Sequence, residues 1–396
     1  MRFLVLGAGA QGRAVAFDLA RTDGTSRVVL GDASEEALAS ARSFLSANLP
    51  PEHLARVELR LLQVTDLHAV GLQALETDVV ASCVPYFLNL PLARTALAAK
   101  ASFLDLGGNT EIVREELALD AAAKAAGVAI VPDCGLGPGM ISTAAVHAMT
   151  AFGGGYDEVD EVKIYDGGLP RNRQLPFGYR LVFSVEGLIN EYIQPATAIR
   201  DRRRVEVPAL SEQETLDLPE PLGRCEAAHA AGGLSTMAWT YEGKVRTLFN
   251  KLIRYPGHLD AMRTLGTLGF FDQDPLEVDG GSIRPRAVAA KLFERAFDRP
   301  DEPDLVFIRV VVTGTRNGRR MQTTGEMLDR FDPVTGMTAM MRTTGFPAAI
   351  VARMLARKQI APGARPVEVA VPSHLFFQEA EERGLHFFWK DSEAAG

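Results

Sequence analysis

Cysteine is scarce in this chain: three in 396 residues, at positions 83, 134 and 225, odd in number and far apart. A disulfide framework and a cysteine-rich zinc site both need paired or closely spaced thiols, so neither is expected, and a reducing cytoplasm fits the usage. No stretch of about 18 uninterrupted apolar residues exists, which removes a membrane helix from consideration. The opening run Arg2–Leu6 leads straight into glycines, without the long apolar core and small-residue cleavage site of a signal peptide. Basic blocks are missing too. The longest, Arg202 to Arg204, sits between Asp201 and Glu206 and reads as a solvated strand edge. With a formal net charge of -8, nucleic acid is not an expected partner. The seven histidines form no short-spaced pair, and neither HExxH nor CxxC occurs, so no metal site is expected.

What the chain has is enough apolar material (47%) for two domains with real cores. The β-rich run Arg2–Leu6 is followed by Gly7-Ala-Gly9-Ala10-Gln11-Gly12 and then by helix formers from Arg13 to Ala20. Glycines between a strand and a helix have physical jobs. Gly7 permits the tight turn, Gly9 lets a pyrophosphate approach the backbone, and Gly12 lets the helix pack closely on the sheet. The helix amino terminus offers free N–H groups to the phosphates. A second strand, Arg27 to Leu30, ends at Gly31-Asp32, twenty residues beyond Gly12. A carboxylate there should accept from the ribose hydroxyls and repel a 2′-phosphate, which predicts NAD rather than NADP.

Further βα units follow. Strands are expected at Val57–Gln63, Asp78–Val84, Ser102–Leu106 and Val128–Pro132, and helices at Leu90–Ala99 and Glu115–Ala126. This alternation predicts a doubly wound, Rossmann-type parallel sheet. Ligands of such sheets bind beyond the carboxyl ends of the strands, which selects Tyr86, Asp105, Asn109 and Asp133.

Residues 132–140 are rich in glycine and proline, and read as a hinge leading into a helix over 141–152. The texture then becomes α+β. Asp160–Tyr165 alternates as a strand, Gly167–Pro170 reads as a turn, and Leu181–Val185, Val205–Pro208, Leu234–Tyr241 and Val245–Ile253 read as strands. Leu305–Gly314 and Arg319–Leu328 form an expected antiparallel pair joined through Asn317-Gly318. A helix over Phe346–Arg357 with Pro347 in its first turn, a helix over Leu375–Gly384 and a strand over Leu385–Trp389 close the chain. The expected organisation is a dinucleotide-binding domain (1–132), an inserted α+β domain with a mostly antiparallel sheet (133–343), and a segment (344–396) that packs back on the first domain.

The glycine fingerprint, Pro85-Tyr86, Asp105–Asn109, Val131–Met140, Gly167–Pro170, Tyr179–Tyr192, Gly232–Thr236, Glu242–Arg246 and Ile253–His258 together make the chain resemble the saccharopine dehydrogenase-like oxidoreductases, most closely their lysine 6-dehydrogenases. The resemblance implies hydride transfer between a nicotinamide cofactor and the C–N bond of an amino acid. For the lysine 6-dehydrogenases it implies oxidative deamination of L-lysine at the ε-carbon to 2-aminoadipate 6-semialdehyde, which cyclises to piperideine-6-carboxylate. It also implies a homo-oligomer, with a dimer favoured. The alternatives are a saccharopine or carboxynorspermidine type of dehydrogenase or reductase, and a non-catalytic nucleotide-binding regulatory protein.

The chemistry constrains the site in its own right. A protonated amine cannot yield hydride until it loses a proton, so a general base must stand beside it, and Asp105, Asp133, Asp166 and His258 are the candidates. A substrate carboxylate calls for an arginine. Arg254 is the first choice and Arg180 the second, with Tyr179 as a neutral donor, Glu186 for an α-ammonium, and Tyr86 and Asn109 beside the nicotinamide. Arg254–His258 reads alternatively as a structural turn before a helix at Leu259–Leu268. Gly7, Gly9, Ala10, Gln11, Gly12, Asp32 and Tyr86 are the expected cofactor contacts.

Overall fold

The short apolar runs at the start of the chain become strands buried on both faces, as the near absence of polar residues in them requires. Phe3, Leu4, Val5 and Leu6 are all fully buried. The computed structural model describes residues 1–394. The first sheet contains β1 (Arg2–Leu6), β2 (Arg27–Asp32), β3 (Val57–Leu61), β4 (Val79–Ser82), β5 (Ser102–Asp105) and β6 (Ala129–Val131). The second draws on β7 (Glu158–Pro170), β8 (Ala196–Arg200), β9 (Arg203–Val207), β10 (Glu214–Leu218), β11 (Gly223–His229) and β12 (Thr247–Arg254). After a small hairpin of β13 (Leu276–Val278) and β14 (Gly281–Ile283) come β15 (Asp304–Arg316), β16 (Arg319–Arg330), β17 (Gly363–Ala364) and β18 (Phe388–Glu393).

The first sheet is parallel throughout, in the order β17-β6-β5-β4-β1-β2-β3. This is a doubly wound sheet with one strand added beyond β6. The second runs β10-β11-β12-β7-β15-β16-β18, with β8 against β12 and β9 against β8. Its pairs are antiparallel except β12 with β7. The chain is therefore an α/β Rossmann-type unit carrying an inserted, mostly antiparallel second sheet. The last segment divides between the two. Helix Ala339–Ala356 lies along helix Ala10–Arg21 and β17 extends the first sheet, whereas β18 forms an edge of the second.

Several elements differ from expectation, each for a local reason. Gly167 to Pro170 is the end of the long strand β7, not a turn. A Cβ at Gly167 would stand 2.6 Å from the Ile253 carbonyl oxygen, so this glycine marks a close approach of β7 to β12. Leu181–Val185 is a connection into helix Val185–Ile193, which Ser184 caps by accepting from the Gly187 N–H. Leu234–Tyr241 is a loop and a short helix, because Ser235, Thr236 and Thr240 spend their hydroxyls on buried carboxylates. The helix expected from Phe346 starts at Ala339. The Asp304 carboxylate accepts from the N–H groups of Ala339 and Met340, and Thr338 caps the same turn. Pro347 is thus inside the helix rather than in its first turn.

Candidate active-site cleft

The glycine loop is built as its sequence demands. Gly7 has φ +99°, and a Cβ at Gly12 would lie 1.7 Å from the Gly7 carbonyl oxygen. A Cβ at Gly9 would meet nothing within 4 Å, and no side chain caps the helix that follows. Backbone donors above an open cradle fit a pyrophosphate. Ala10 sits on that first turn. Gln11 reaches the Met340 carbonyl from its amide nitrogen at 3.4 Å, while its Oε1 is buried without a partner. Asp32 accepts from the Ala8 N–H (2.7 Å) through one oxygen and from the Ser34 N–H (2.8 Å) through the other.

At the neighbouring strand ends the carboxylates converge. Asp105 Oδ1 accepts from the N–H groups of Gly107 (2.6 Å) and Asp133 (3.2 Å), and its Oδ2 is buried without a partner. Asp133 is held at φ +65° beyond β6, and accepts 2.5 Å from the Ser235 hydroxyl, on a loop of the second unit. Burial, then the charge of Asp105, pushes its carboxyl well above the usual range, against the Ser235 hydrogen bond. Tyr86 packs over Gly108 at the β4 end. Asn109 is a helix cap, its Oδ1 accepting from Glu111 and Ile112.

The facing wall comes from the second sheet. Asn250 on β12 donates to Asp166 Oδ1 on β7 at 2.6 Å. Burial raises Asp166, against that hydrogen bond and the charge of Arg254. A Cβ at Gly137 would stand 3.1 Å from Asp166 Oδ2, and one at Gly233 would stand 1.9 Å from Asn250 Oδ1. Asp166 and Asn250 therefore lie directly under the 132–140 segment and the 232–236 loop. A small cleft lined by Thr110, Gly232, Ser235 and Asn250 opens between the units.

The remaining candidates separate. Arg254 is fully buried, donating from Nε to the Tyr192 hydroxyl (2.9 Å), from one terminal nitrogen to the Ile253 carbonyl (2.9 Å) and from the other towards Glu191 (3.5 Å). Its guanidinium lies over the Tyr179 ring. His258 Nδ1 faces the Phe177 carbonyl (3.0 Å), which can only accept, so Nδ1 carries the proton and Nε2 accepts from Tyr192 (2.8 Å). Burial, then the charge of Arg254, drives this imidazole down to about 3, so it has no capacity as a base near neutral pH. The turn reading holds for this segment. Glu186 is a surface partner of Arg286 at 2.5 Å and bridges two helices. Two of the candidates retain unused donors. The Tyr179 hydroxyl and the Arg180 Nε are buried without partners, although Arg180 also donates to the Glu302 carbonyl.

Glu116, Ser235, Asn250, Glu191, Tyr192 and Glu368 are functional-site neighbours that sequence reasoning passed over. Glu116 was visible in principle, because it falls three residues after Val113, on the buried face of helix Thr110–Leu117. The string Gly232–Thr236 contributed only to the resemblance.

Two family models cover nearly the whole chain: the saccharopine dehydrogenase NADP binding domain over residues 3–131 and the saccharopine dehydrogenase C-terminal domain over 135–385. The chain belongs to the saccharopine dehydrogenase family. Within the family, it is 25% identical over 275 residues to an alpha-aminoadipic semialdehyde synthase of Arabidopsis thaliana, covering 64% of this chain and 24% of that protein. It is 25% identical over 142 residues to a saccharopine dehydrogenase [NADP(+), L-glutamate-forming] of Pyricularia oryzae, covering 35% of this chain and 31% of that protein. The chain thus spans less than a third of these curated relatives. The apo saccharopine dehydrogenase (L-Glu forming) of Saccharomyces cerevisiae has the same fold, with a TM-score of 0.76 at 18% identity over 99% of both chains.

Two expectations are overturned by these matches. Oxidative deamination of lysine by a lysine 6-dehydrogenase is not upheld, because the matched models are those of saccharopine dehydrogenase and the relatives are described as a saccharopine dehydrogenase and an alpha-aminoadipic semialdehyde synthase. Much of the strings that suggested the former serves packing: Gly232-Gly233 lies on Asn250, and Tyr179, Tyr192, Arg254 and His258 form one buried knot. The preference for NAD also falls, since the matched domain is described as NADP binding. Both Asp32 oxygens accept from backbone N–H groups, those of Ala8 and Ser34, so an acid at that position has a structural role in closing the glycine loop whichever cofactor is bound.

Proposed function

We propose that the protein is an NADP-dependent oxidoreductase of the saccharopine dehydrogenase type. It would interconvert saccharopine, a secondary amine, with L-glutamate and α-aminoadipic semialdehyde. NADP supplies the hydride acceptor, held by Gly7 to Gly12 and the helix N-terminus behind them. What carries the reading is Asp133: a buried carboxyl just beyond a strand end, hydrogen-bonded to Ser235 of the opposite unit, with its proton affinity raised by burial and by the charge of Asp105. In the oxidative direction Asp133 takes the amine proton, which frees the nitrogen lone pair to assist C–H cleavage. It then passes protons as water adds to the imine and the carbinolamine splits. Arg180, whose Nε is buried without a partner, would hold a substrate carboxylate, whereas each nitrogen of Arg254 already donates within the protein, to Tyr192, Ile253 and Glu191.

The test is NADPH formation from NADP with saccharopine and with lysine, and the same pair with NAD. Turnover of saccharopine with NADP, and none with lysine, is the expected result; turnover of lysine alone would overturn it. We also propose self-association through the exposed apolar surface of residues 268–292, argued at the end of the Discussion.

A further inference from the structure

Glu116 stands apart from every other acid in the molecule. It is fully buried, and neither of its carboxyl oxygens has a hydrogen-bond donor. Asp105, across from it on β5, leaves its inward oxygen equally without a donor, and Asp133 leaves Oδ1 bare beside them. The groups that face this cluster bring no positive charge. They are Glu368, which accepts from Thr236 (3.1 Å) and Thr240 (2.6 Å), the thiols of Cys83 and Cys134, and the Ser235 hydroxyl. Among the described residues, no group of three or more such side chains is placed to hold a metal ion. Three carboxylates cannot share a dry site without a cation; the least costly remedy is a proton.

We propose that Glu116 carries a proton in the working enzyme, donates it to the inward oxygen of Asp105, and by doing so positions Asp105 and leaves Asp133 as the group that gains and loses the proton of the reaction. The proposal rests on the saccharopine dehydrogenase reading for its last clause only. One proton accounts for two of the bare oxygens: a protonated Glu116 is a donor, and Asp105 Oδ2 is its acceptor. Asp105 Oδ1 already accepts the backbone N–H of Asp133 at 3.2 Å, so fixing one carboxyl fixes the backbone that presents the other. The direction of the titrations agrees. Burial, and then the charge of Asp105, pushes Glu116 far up; burial also raises Asp105, to about 6, opposed first by the Gly107 and Asp133 N–H groups and then by Glu116. Glu116 touches neither substrate nor cofactor in this account; it is a positioning residue.

Two variants separate a proton donor from a packing group. Glu116→Gln keeps the shape and provides a permanent donor to Asp105. Glu116→Leu keeps most of the volume and provides none. Glu116→Gln should retain kcat within about threefold, with its pH profile unmoved. Glu116→Leu should lose about tenfold or more in kcat, because a buried acceptor is left bare, while the NADPH dissociation constant stays within about twofold. Equal behaviour of Gln and Leu would overturn the proposal. Infrared difference spectroscopy of the full chain at neutral pH gives an independent arm. The wild type should show a protonated-carboxyl C=O band that Glu116→Gln lacks, and the same band in both would overturn the proposal even if Glu116→Leu does not fold. This arm needs no substrate, so its result stands apart from whether saccharopine is turned over.

Discussion

At Gly12 there is no room for any side chain, since the first carbon would overlap the Gly7 carbonyl at 1.7 Å. Gly12→Ala must therefore push helix Ala10–Arg21 off the turn that precedes it. We expect a loss of about 1–3 kcal/mol in stability and a fall of about tenfold or more in NADPH affinity, read by urea unfolding and by fluorescence titration. A second prediction concerns pH. His258 is neutral in the folded chain with its pKa depressed to about 3, whereas in the unfolded chain it titrates near 6.5. Below about pH 6.5 the unfolded chain binds the proton and the folded chain refuses it, so stability falls as pH drops towards 3, by about 2 kcal/mol at pH 5 from this residue. Glu116 has the opposite sign: its raised pKa stabilises the fold at low pH and loses that contribution as pH rises. Glutamine at 258 should flatten the acid slope of midpoint against pH, and an unchanged slope would show that His258 is not its source. That Asp105 and Asp133 stand at or just beyond strand ends is legible from the alternation of strands and helices. The knot around Arg254 and His258 is not, because Tyr179 and Tyr192, which cover the guanidinium, lie far away in sequence.

Elements were legible wherever one rule decided them. The runs of buried aliphatics in β1, β2 and β4 to β6, the alternating edge strand β3, and the Asn317-Gly318 hairpin between β15 and β16 need only local pattern, and the structure has them. The failures are places where tertiary contact overrides that pattern. Gly167-Gly168 reads as a turn, yet both glycines are in β7 because β12 and Met340 approach too closely for a Cβ. Pro347 reads as a helix start, yet Asp304, distant in sequence, caps the same helix two turns earlier. The β7 case yields a prediction at this scale. Gly167→Ala places a methyl group 2.6 Å from the Ile253 carbonyl oxygen and so pries apart the only parallel pair of the second sheet among the described residues. Asp166, the residue before Gly167, accepts a hydrogen bond from Asn250 diagonally across that pair. Stability should fall by about 1–3 kcal/mol in urea unfolding, and the KM for the amine should rise while NADPH binding is kept. A rise in the NADPH dissociation constant alone would contradict this division of labour.

On the scale of the molecule, the exposed apolar side chains are unevenly spread. Leu268, Phe270, Leu276, Val278, Ile283, Val288 and Leu292 are each at least 40% exposed, and all fall within one short stretch of chain. In its middle, β13 and β14 pair only with each other and are exposed on both faces. An isolated two-stranded hairpin is at best marginally stable in water, so this one needs a covering surface. Its charge pattern suggests a second copy of the chain. Residues 264–283 hold Asp272, Asp274, Glu277 and Asp279 and no lysine or arginine, whereas Arg284 stands at the N-cap of helix Pro285–Phe297, which carries Lys291, paired with Glu294, and Arg295. A two-fold axis lets the acidic hairpin of one protomer meet the basic helix of the other, each supplying what its partner lacks. We expect sedimentation to give a dimer that weakens in high salt, as exposed ion pairs are screened. The double variant Leu276→Asp, Val278→Asp should sediment as a monomer at the same concentration, with unchanged near-neutral circular dichroism. The cleft lined by Ser235 and Asn250, with Asp133 bonded to that serine, is built from a single chain, so the monomeric variant should keep its kcat within about twofold. A variant that remains dimeric would place the interface elsewhere on the molecule. One that becomes monomeric and inactive would show that the partner completes the site.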